Sequence, residues 1–217
     1  MLGPPRLGAR LVVLAFARNE CPSYNEWLQH GRAQGVRHFY IIDHNSTDDC
    51  DVLALSVGGD VTVWSWHQPL TRNFSTQEVA YNAHLPMVRA AEVARGASGT
   101  WLGLWDLDEV IFGVNHTLAQ HLHTLPPSVD QLCLNWLTFG SSGHMKQPRC
   151  LAASNLYRKL LPADPVGKCI QRLDAVHKYV VVVLSVFPRH GARELSAPTL
   201  FMCAHISLSL SPSCTPA

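Results

Sequence analysis

The first half of the chain alternates short, uninterrupted apolar runs with segments that carry apolar residues at helical spacing. The apolar runs lie at 11–17, 36–43, 61–66 and 100–105, and the helical segments at 22–34 and 79–95. Strands of a parallel sheet carry such runs because helices cover both faces of the sheet. The sequence therefore predicts an α/β domain in the order β-α-β-α-β-α-β, with a mostly parallel central sheet flanked by helices.

Further elements follow from local signals. The segment Ser75-Thr76-Gln77-Glu78 is a capping box that begins the second long helix, and Pro86 is expected to kink or break that helix. The remaining predictions are a short helix at 118–125, a strand at 131–139 and a buried strand at 179–187.

Composition excludes several classes of protein. Of the 217 residues, 47% are hydrophobic and 15% are charged, and the formal net charge is only +1. Because Lys and Arg are scattered along the chain, no nucleic-acid-binding face is expected. No apolar run approaches the roughly 20 residues of a membrane span. The seven cysteines include no CxxC pair, which argues against a zinc ribbon, and their odd number leaves at least one thiol free or intermolecular.

The amino terminus allows two interpretations. Arg6 and Arg10 flank the start of the apolar stretch 11–14, and Ala15-Phe16-Ala17 follows, which is the outline of a signal peptide. The apolar stretch is short for a signal peptide, so a first buried strand is favoured. The expected organisation is a leader at 1–10, one domain at 11–195 and an irregular tail at 196–217.

An acidic segment directly follows the fourth predicted strand. On extended backbone, Asp106 and Asp108 point to the same side and can share one cation, while Leu107 faces the core. Hard oxygen ligands favour Mg²⁺ or Mn²⁺. An isolated D-x-D triplet is more often a solvated turn, but here it lies between buried segments, where unpaired carboxylates are costly.

Polar clusters also follow the first two strands, at the edge where open α/β sheets bind ligands. The candidate nucleotide-binding residues are Arg18, Asn19 and Glu20 after strand one, and Asp43, Asn45, Ser46 and Asp48 after strand two, with Asp106 from the acidic segment. The alternative interpretations are an Asx turn for the second cluster and a charge preference at a helix start for the first. Candidate catalytic residues are Glu109 and His144, the latter in a flexible Gly- and Ser-rich turn.

At these residues the chain resembles the family 92 glycosyltransferases and their family 2-like relatives. The matching segments are Ala17-Arg18-Asn19-Glu20, Asp43-His44-Asn45-Ser46-Thr47-Asp48-Asp49, Trp105-Asp106-Leu107-Asp108-Glu109, Phe139-Gly140-Ser141-Ser142-Gly143-His144 and, more loosely, Lys168-Cys169-Ile170. The resemblance implies a GT-A nucleotide-diphospho-sugar transferase fold, and a Mn²⁺ or Mg²⁺ ion on Asp106 and Asp108. It also implies transfer of a hexose, galactose from UDP-galactose being the best-known donor, onto a glycan or glycoprotein acceptor in the Golgi.

The resemblance leaves the third metal ligand open. The family places a histidine on a strand after the Lys-x-Ile segment, whereas this chain has none between Tyr179 and Val186. The substitutes would be His177, His190 and His205. Inverting displacement with a carboxylate as base is the expected mechanism. The alternatives are a metal-dependent phosphoryl or nucleotidyl transferase, and a truncated or degenerate chain that binds a sugar nucleotide without turning it over.

Overall fold

The structure, a computed structural model, describes residues 9–48, 50–68, 76–113, 115–145, 154, 157, 164–177 and 200–205. Eight strands are present in these residues: β1 (Leu11–Ala17), β2 (Val36–Asp43), β3 (Val61–Ser65), β4 (Trp101–Leu104), β5 (Glu109–Gly113), β6 (Gln131–Phe139), β7 (Asp164–Arg172) and β8 (Leu200–His205). The helices are α1 (Cys21–Ala33), α2 (Thr76–Ala94) and α3 (Leu118–Thr124), with a 3-10 helix at Val52–Gly58. The strands form one sheet in the order β3-β2-β1-β4-β7-β6-β8-β5.

The half of the sheet formed by β3, β2, β1 and β4 is entirely parallel. Successive residues of β1 enter different cores, because side chains alternate between the faces of a strand. Leu11 and Val13 pack in the core that contains Trp27 of α1, whereas Val12 packs in the core that contains Leu85 of α2. The predicted α/β class, with helices on both faces of a central sheet, is confirmed.

The other half of the sheet is mixed. Strand β7 is antiparallel to both β4 and β6, and β8 is parallel to β6 but antiparallel to β5. The segment 200–205 thus pairs in the sheet, although the sequence predicts an irregular tail from 196 onward, because its backbone pairs with strands that lie far away in the chain. The buried strand predicted at 179–187 lies outside the described residues.

Helix α2 continues through Pro86 over 19 residues, so the predicted break is wrong. Tyr81 and Leu85 lie before the proline and Val88 after it, and all three are buried in the same core. Packing on both sides of the proline therefore holds the helix together despite the missing hydrogen bond. Ser75 of the predicted capping box lies outside the described residues.

Within the described residues two disulfides are present that the spacing of the cysteines does not reveal. Cys21 at the start of α1 is joined to Cys50, and Cys133 of β6 is joined to Cys169 of β7. The second pair lies directly opposite in the β6–β7 register. Among the residues that the structure covers, no helix has both the length and the hydropathy to cross a membrane.

A buried ionic network lies at the amino edge of the parallel sheet. The Glu92 carboxylate, 2% exposed, accepts hydrogen bonds from Arg10 Nη2 at 3.0 Å and from the Tyr40 hydroxyl at 2.7 Å. Arg95 donates to the same hydroxyl at 2.9 Å. The network fastens the carboxyl end of α2 to the edge of the sheet opposite the polar clusters.

Candidate active site

The carboxyl ends of β1, β2 and β4 meet at one edge of the sheet. Ala17 pairs with Asp43 across β1 and β2, and Leu14 pairs with Leu104 across β1 and β4. The backbone N–H of His44 donates to Ala17 O at 2.8 Å, so the register continues to the end of the strands. The segments that follow these three strands therefore emerge side by side, as the sequence predicts.

The polar clusters after β1 and β2 are tied directly to each other. Asn19 Oδ1 accepts from the Thr47 N–H at 2.7 Å, and the Asn19 N–H donates to Ser46 Oγ at 2.9 Å. The Ser46 hydroxyl in turn donates to Asp43. Asn19 has a positive φ of 57°, a conformation that Asn tolerates better than most residues. The two clusters are thus one hydrogen-bonded unit.

Other predicted nucleotide contacts belong to this unit. Asp48 Oδ2 accepts from the Cys21 N–H at 2.8 Å, which joins the second cluster to the start of α1. Asn45 is exposed with a φ of 52° and pairs with the His67 ring. Arg18 is also exposed at this edge.

The acidic segment forms a turn between β4 and β5, so the extended backbone expected for Asp106 and Asp108 is wrong. The Glu109 N–H donates to Asp106 O at 3.1 Å, and Leu107 is only 4% exposed. Leu107 therefore anchors the turn in the core, as predicted, while Asp106 and Asp108 remain half-buried. The turn arises because β5 leaves the parallel half of the sheet to pair with β8.

Lys168 lies among these carboxylates. Its ammonium group donates to Asp106 Oδ2 at 2.7 Å and to Glu109 Oε2 at 2.5 Å. Gln77 of α2 donates to the other oxygen of Asp106, Oδ1, at 2.6 Å. Glu109 is 2% exposed, and burial raises its pKa to about 8 against the opposing effect of the Lys168 charge.

Glu20 brings the separate clusters into one electrostatic site. Burial raises its pKa to about 7, helped by the negative charges of Asp108, Asp106 and Asp48, in that order. Burial and nearby negative charges both disfavour the ionised form of a carboxyl group, and both act on Glu20. Residues from the ends of β1, β2 and β4 therefore affect the same carboxyl group, that of Glu20. Groups with perturbed pKa values are typical of functional sites.

Two buried oxygen atoms of the site have no hydrogen-bond partner within the described structure. They are Asp48 Oδ1 and the hydroxyl of Tyr24, a side chain of α1 that is 2% exposed. Burial and the charges of Asp43, Asp48 and Glu20 raise the pKa of Tyr24, so its hydroxyl stays protonated. Buried polar groups without partners are costly and commonly await a ligand.

The donor atoms fit a hard divalent cation. Carboxylate oxygens are the preferred ligands of Mg²⁺ and Mn²⁺, and the charges of Asp108 and Asp106 add to the effect of burial on the pKa of Glu20. Among the described residues no three acidic, histidine or cysteine side chains are grouped to hold a metal ion. Cations of this kind are often held by one or two carboxylates together with phosphate oxygens of the substrate.

The histidine predictions stay open. His144 is exposed in the turn after β6, and its ring donates to Ser154 O at 3.2 Å. His177 is exposed beyond β7. His190 and the side chain of His205 lie outside what the structure describes.

Three residues of the site have no role assigned by sequence reasoning. Lys168 stands in a segment that matches the family only loosely, Gln77 is part of the predicted capping box, and Tyr24 is an apolar position of a predicted helix. The loose match of the segment Lys168-Cys169-Ile170 to the family is the one sequence signal that points to Lys168. No local pattern relates Gln77 or Tyr24 to Asp106 and Asp48, because the contacts form only when α1 and α2 pack on the sheet.

Several solved structures are similar to the chain at low sequence identity. One is glucosyl-3-phosphoglycerate synthase from Mycobacterium tuberculosis in complex with Mn²⁺, UDP and phosphoglyceric acid, at 16% identity over 77% of this chain and 57% of that chain, with a TM-score of 0.37. A mycobacterial protein has 12% identity over 91% and 65% of the two chains, with a TM-score of 0.38.

A glycosyltransferase involved in glycosylation of the major capsid of PBCV-1 has 10% identity over 75% and 59% of the two chains, with a TM-score of 0.30. This chain thus spans less than two thirds of the length of each of these proteins. No curated protein sequence matches the chain.

The sequence model of one protein family covers most of the chain. It is described as glycosyltransferase family 92 and matches residues 15–185, a span that begins in β1 and contains the polar clusters, the acidic segment and Lys168. The α/β topology and the position of the acidic site at the carboxyl edge of the sheet agree with the GT-A fold expected for such an enzyme. The chain belongs to glycosyltransferase family 92.

Proposed function

We propose that the protein transfers a hexose, with galactose favoured, from a UDP-sugar onto a glycan or glycoprotein acceptor, with Mn²⁺ or Mg²⁺ as cofactor. One observation carries the choice of a nucleotide-diphosphate donor. Residues from three strand ends act on Glu20, whose pKa is raised by burial and further by the nearby charges of Asp108, Asp106 and Asp48. Surplus negative charge at the carboxyl edge of an α/β sheet suits a cation that neutralises a diphosphate.

The proposal gives each cluster a part in donor binding. Asp106 and Asp108 hold the cation, which when bound stabilises the negative charge of a leaving diphosphate. Arg18, Asn19, Glu20, Asp43, Asn45, Ser46 and Asp48 contact the nucleotide. The hydrogen bonds between Asn19 and Thr47 and between Asn19 and Ser46 hold this unit in place before the donor arrives, which lowers the entropic cost of binding.

Transfer is proposed to occur by displacement with inversion, in which a carboxylate accepts the proton of the acceptor hydroxyl. Glu109 is a poor base in this geometry, because it is buried and accepts from both Lys168 and the Asp106 N–H, the latter at 3.0 Å. We therefore propose that Glu109 stabilises the acidic turn and does not act as the catalytic base. His144, which is exposed in a turn at the end of β6, is proposed as a catalytic residue that contacts the cation or the acceptor sugar.

The secretory pathway, with the Golgi as the family suggests, is the proposed location. The two disulfides support this, because disulfides form and persist in oxidising compartments and are rare in the cytosol.

A panel of UDP-hexoses tests the function. UDP-galactose and UDP-glucose are supplied with and without Mn²⁺, and release of UDP and glycosylated product is measured. Asp108→Ala should lower the Mn²⁺-dependent rate by roughly 100-fold or more if the cation assists departure of the diphosphate. Asp60→Ala is the matched control, since Asp60 pairs with Arg32 on the surface.

The alternatives give different products. Release of phosphate or pyrophosphate without a glycosylated product would indicate a phosphoryl or nucleotidyl transferase. UDP binding without turnover of any donor would indicate a sugar-nucleotide-binding protein. Transfer that neither needs a divalent cation nor responds to Asp108→Ala would refute the metal-dependent scheme.

A further inference from the structure

We propose that Lys168 is a positioning residue, whose ammonium group bridges Asp106 and Glu109 and so holds the Asp106 carboxylate in the orientation that receives the metal ion and diphosphate of the donor. This inference rests on the proposed function. It assigns a role to a side chain that lies 62 residues beyond Asp106 in the sequence.

The contacts around Lys168 form a closed ring. The ammonium donates to Asp106 Oδ2 at 2.7 Å and to Glu109 Oε2 at 2.5 Å. The same Glu109 oxygen accepts from the Asp106 backbone N–H at 3.0 Å. Backbone and side chain of Asp106 are therefore both fixed through Glu109 and Lys168, and rotation of the Asp106 carboxylate would break the ring.

A second donor completes the restraint. Gln77 of α2 donates to Asp106 Oδ1 at 2.6 Å, whereas Lys168 of β7 donates to the other oxygen, Oδ2. Each carboxylate oxygen carries two lone-pair sites, so both oxygens can accept these bonds and still face a cation. Groups that orient a metal-binding side chain in this way commonly affect metal affinity as strongly as the binding residues themselves.

The net charge of the acidic turn indicates that Lys168 positions Asp106 and does not neutralise the turn. Asp106 and Asp108 outnumber the one ammonium group of Lys168, even where the buried Glu109 is protonated. The turn therefore keeps a net negative charge with Lys168 in place, and it can still attract a divalent cation.

The fold explains how Lys168 reaches the turn. Strand β7 runs antiparallel to β4, with Ile170 opposite Gly103, so residues before Ile170 extend past the carboxyl end of β4. The next residue after Lys168, Cys169, is bonded to Cys133 of β6. The cross-strand disulfide thus fixes the register of the strand that delivers the ammonium group.

The experiment measures UDP binding by calorimetry, with Mn²⁺ and again in EDTA, for wild type, Lys168→Met, Lys168→Arg and Arg172→Met. Arg172→Met is the matched control: it removes one positive charge from the same strand, but Arg172 lies over the Trp101 ring, 4.7 Å from its centroid, and contacts Val129 O. Thermal unfolding of each variant is recorded alongside, to identify any that fails to fold.

Lys168→Met should weaken Mn²⁺-dependent UDP binding roughly 10- to 100-fold, with UDP binding in EDTA unchanged and with Arg172→Met close to wild type. Binding in Lys168→Met that equals or exceeds that of wild type would overturn the proposal, since tighter binding means that the ammonium competes with the metal. If Lys168→Met does not fold, Lys168→Arg decides, because the larger planar guanidinium keeps the charge but displaces the contacts: several-fold weaker binding supports a role that depends on the position of the ammonium group, and unchanged binding refutes it.

A double variant tests whether Lys168 acts through the ring. Glu109→Gln should weaken Mn²⁺-dependent binding in the same direction, and adding Lys168→Met to it should cost less than in wild type. Fully additive losses would show that the two side chains act independently and would contradict the bridge. Wild-type protein that binds UDP equally with and without Mn²⁺ would instead refute the proposed function.

Discussion

Cys21 and Cys50 are joined by a disulfide that links the two polar clusters after β1 and β2 covalently. Cys21 follows Glu20 directly, and Cys50 lies two residues after Asp48, whose carboxylate also accepts from the Cys21 N–H at 2.8 Å. The covalent bond and the hydrogen bond thus connect the same two segments at the carboxyl edge of the sheet.

Removal of this disulfide should loosen the nucleotide unit. We expect Cys21→Ser combined with Cys50→Ser to lower the free energy of unfolding by about 2–4 kcal/mol, since the bond closes a long loop in the unfolded chain. UDP affinity should fall as well, because the loops after β1 and β2 lose their covalent link. Chemical denaturation and calorimetry check both effects. Unchanged UDP affinity in the folded double variant would contradict a role of the bond in the site.

Glu20→Gln should stabilise the metal-free protein at alkaline pH. The folded pKa of Glu20, about 7, lies above its ordinary value because of burial and the charges of Asp108, Asp106 and Asp48. The stability that protonated Glu20 contributes is therefore present at low pH and lost as pH rises through about 7. After allowance for screening by solvent, the free energy of unfolding of the variant should exceed that of wild type by about 1 kcal/mol at pH 8 and should equal it near pH 4. Urea denaturation in EDTA at both pH values measures this.

Glu92 and Asp60 should differ sharply in their effect on stability. Glu92→Ala leaves Arg10 and the Tyr40 hydroxyl without their buried partner, and loss of one member of a buried pair costs about 3–5 kcal/mol. Asp60→Ala removes a pair with the exposed Arg32, which is worth about 1 kcal/mol or less. Chemical denaturation of both variants compares the two. A cost for Glu92→Ala below that for Asp60→Ala would refute the structural importance of the network.

Acidification should destabilise the protein through His38. Burial and the Arg95 charge lower the pKa of His38 to about 4, and its ring pairs with Thr62 Oγ1 at 2.8 Å. The unfolded state binds the proton from about pH 6.5 downward and the folded state only near pH 4, so stability is lost as pH falls through this window. At about 1.4 kcal/mol per tenfold change in proton affinity, the loss is roughly 3 kcal/mol.

A variant series isolates the His38 contribution. His38→Gln should flatten the pH dependence of the unfolding free energy between pH 4 and 6.5, whereas His123→Gln, at an exposed position of α3, should leave it as in wild type. An identical pH dependence in wild type and His38→Gln would show that another group is responsible.

Gly103 should tolerate no side chain without cost to the acidic turn. A Cβ at this position would lie 2.6 Å from the Trp105 ring, which is 3% exposed and directly precedes Asp106. We expect Gly103→Ala to lower the free energy of unfolding by about 1–3 kcal/mol through overpacking and to weaken UDP binding through displacement of the turn. Destabilisation without any change in UDP affinity would show that the turn is independent of Trp105.

Much of the parallel half could be predicted from the sequence because its signals are local. The strands predicted at 11–17 and 36–43 match β1 and β2, and the run predicted at 61–66 matches β3. Each depends on the apolar run within the segment and on the turn residues that bound it. The polar clusters after β1 and β2 meet for the same reason, since parallel strands bring the residues that follow them to one edge of the sheet.

The mixed half could not be predicted in the same way. Strand β7 contains Asp164, Pro165 and Lys168 and lacks a continuous apolar run, and β8 lies in a stretch without periodicity. Their strand conformation depends on pairing with distant segments. Pairing between distant strands can be recognised in a sequence only when both strands carry a hydrophobic pattern.

The sequence by itself determined the α/β class, the position of the acidic segment after β4 and the presence of polar residues at the neighbouring strand ends. Only the tertiary structure decided how that segment is held: Gln77 and Lys168 reach Asp106 from α2 and from an antiparallel strand. The physical reason is that hydrophobic periodicity acts over a few residues along the chain, whereas the contacts that orient a buried carboxylate form between segments that meet only when the sheet is complete.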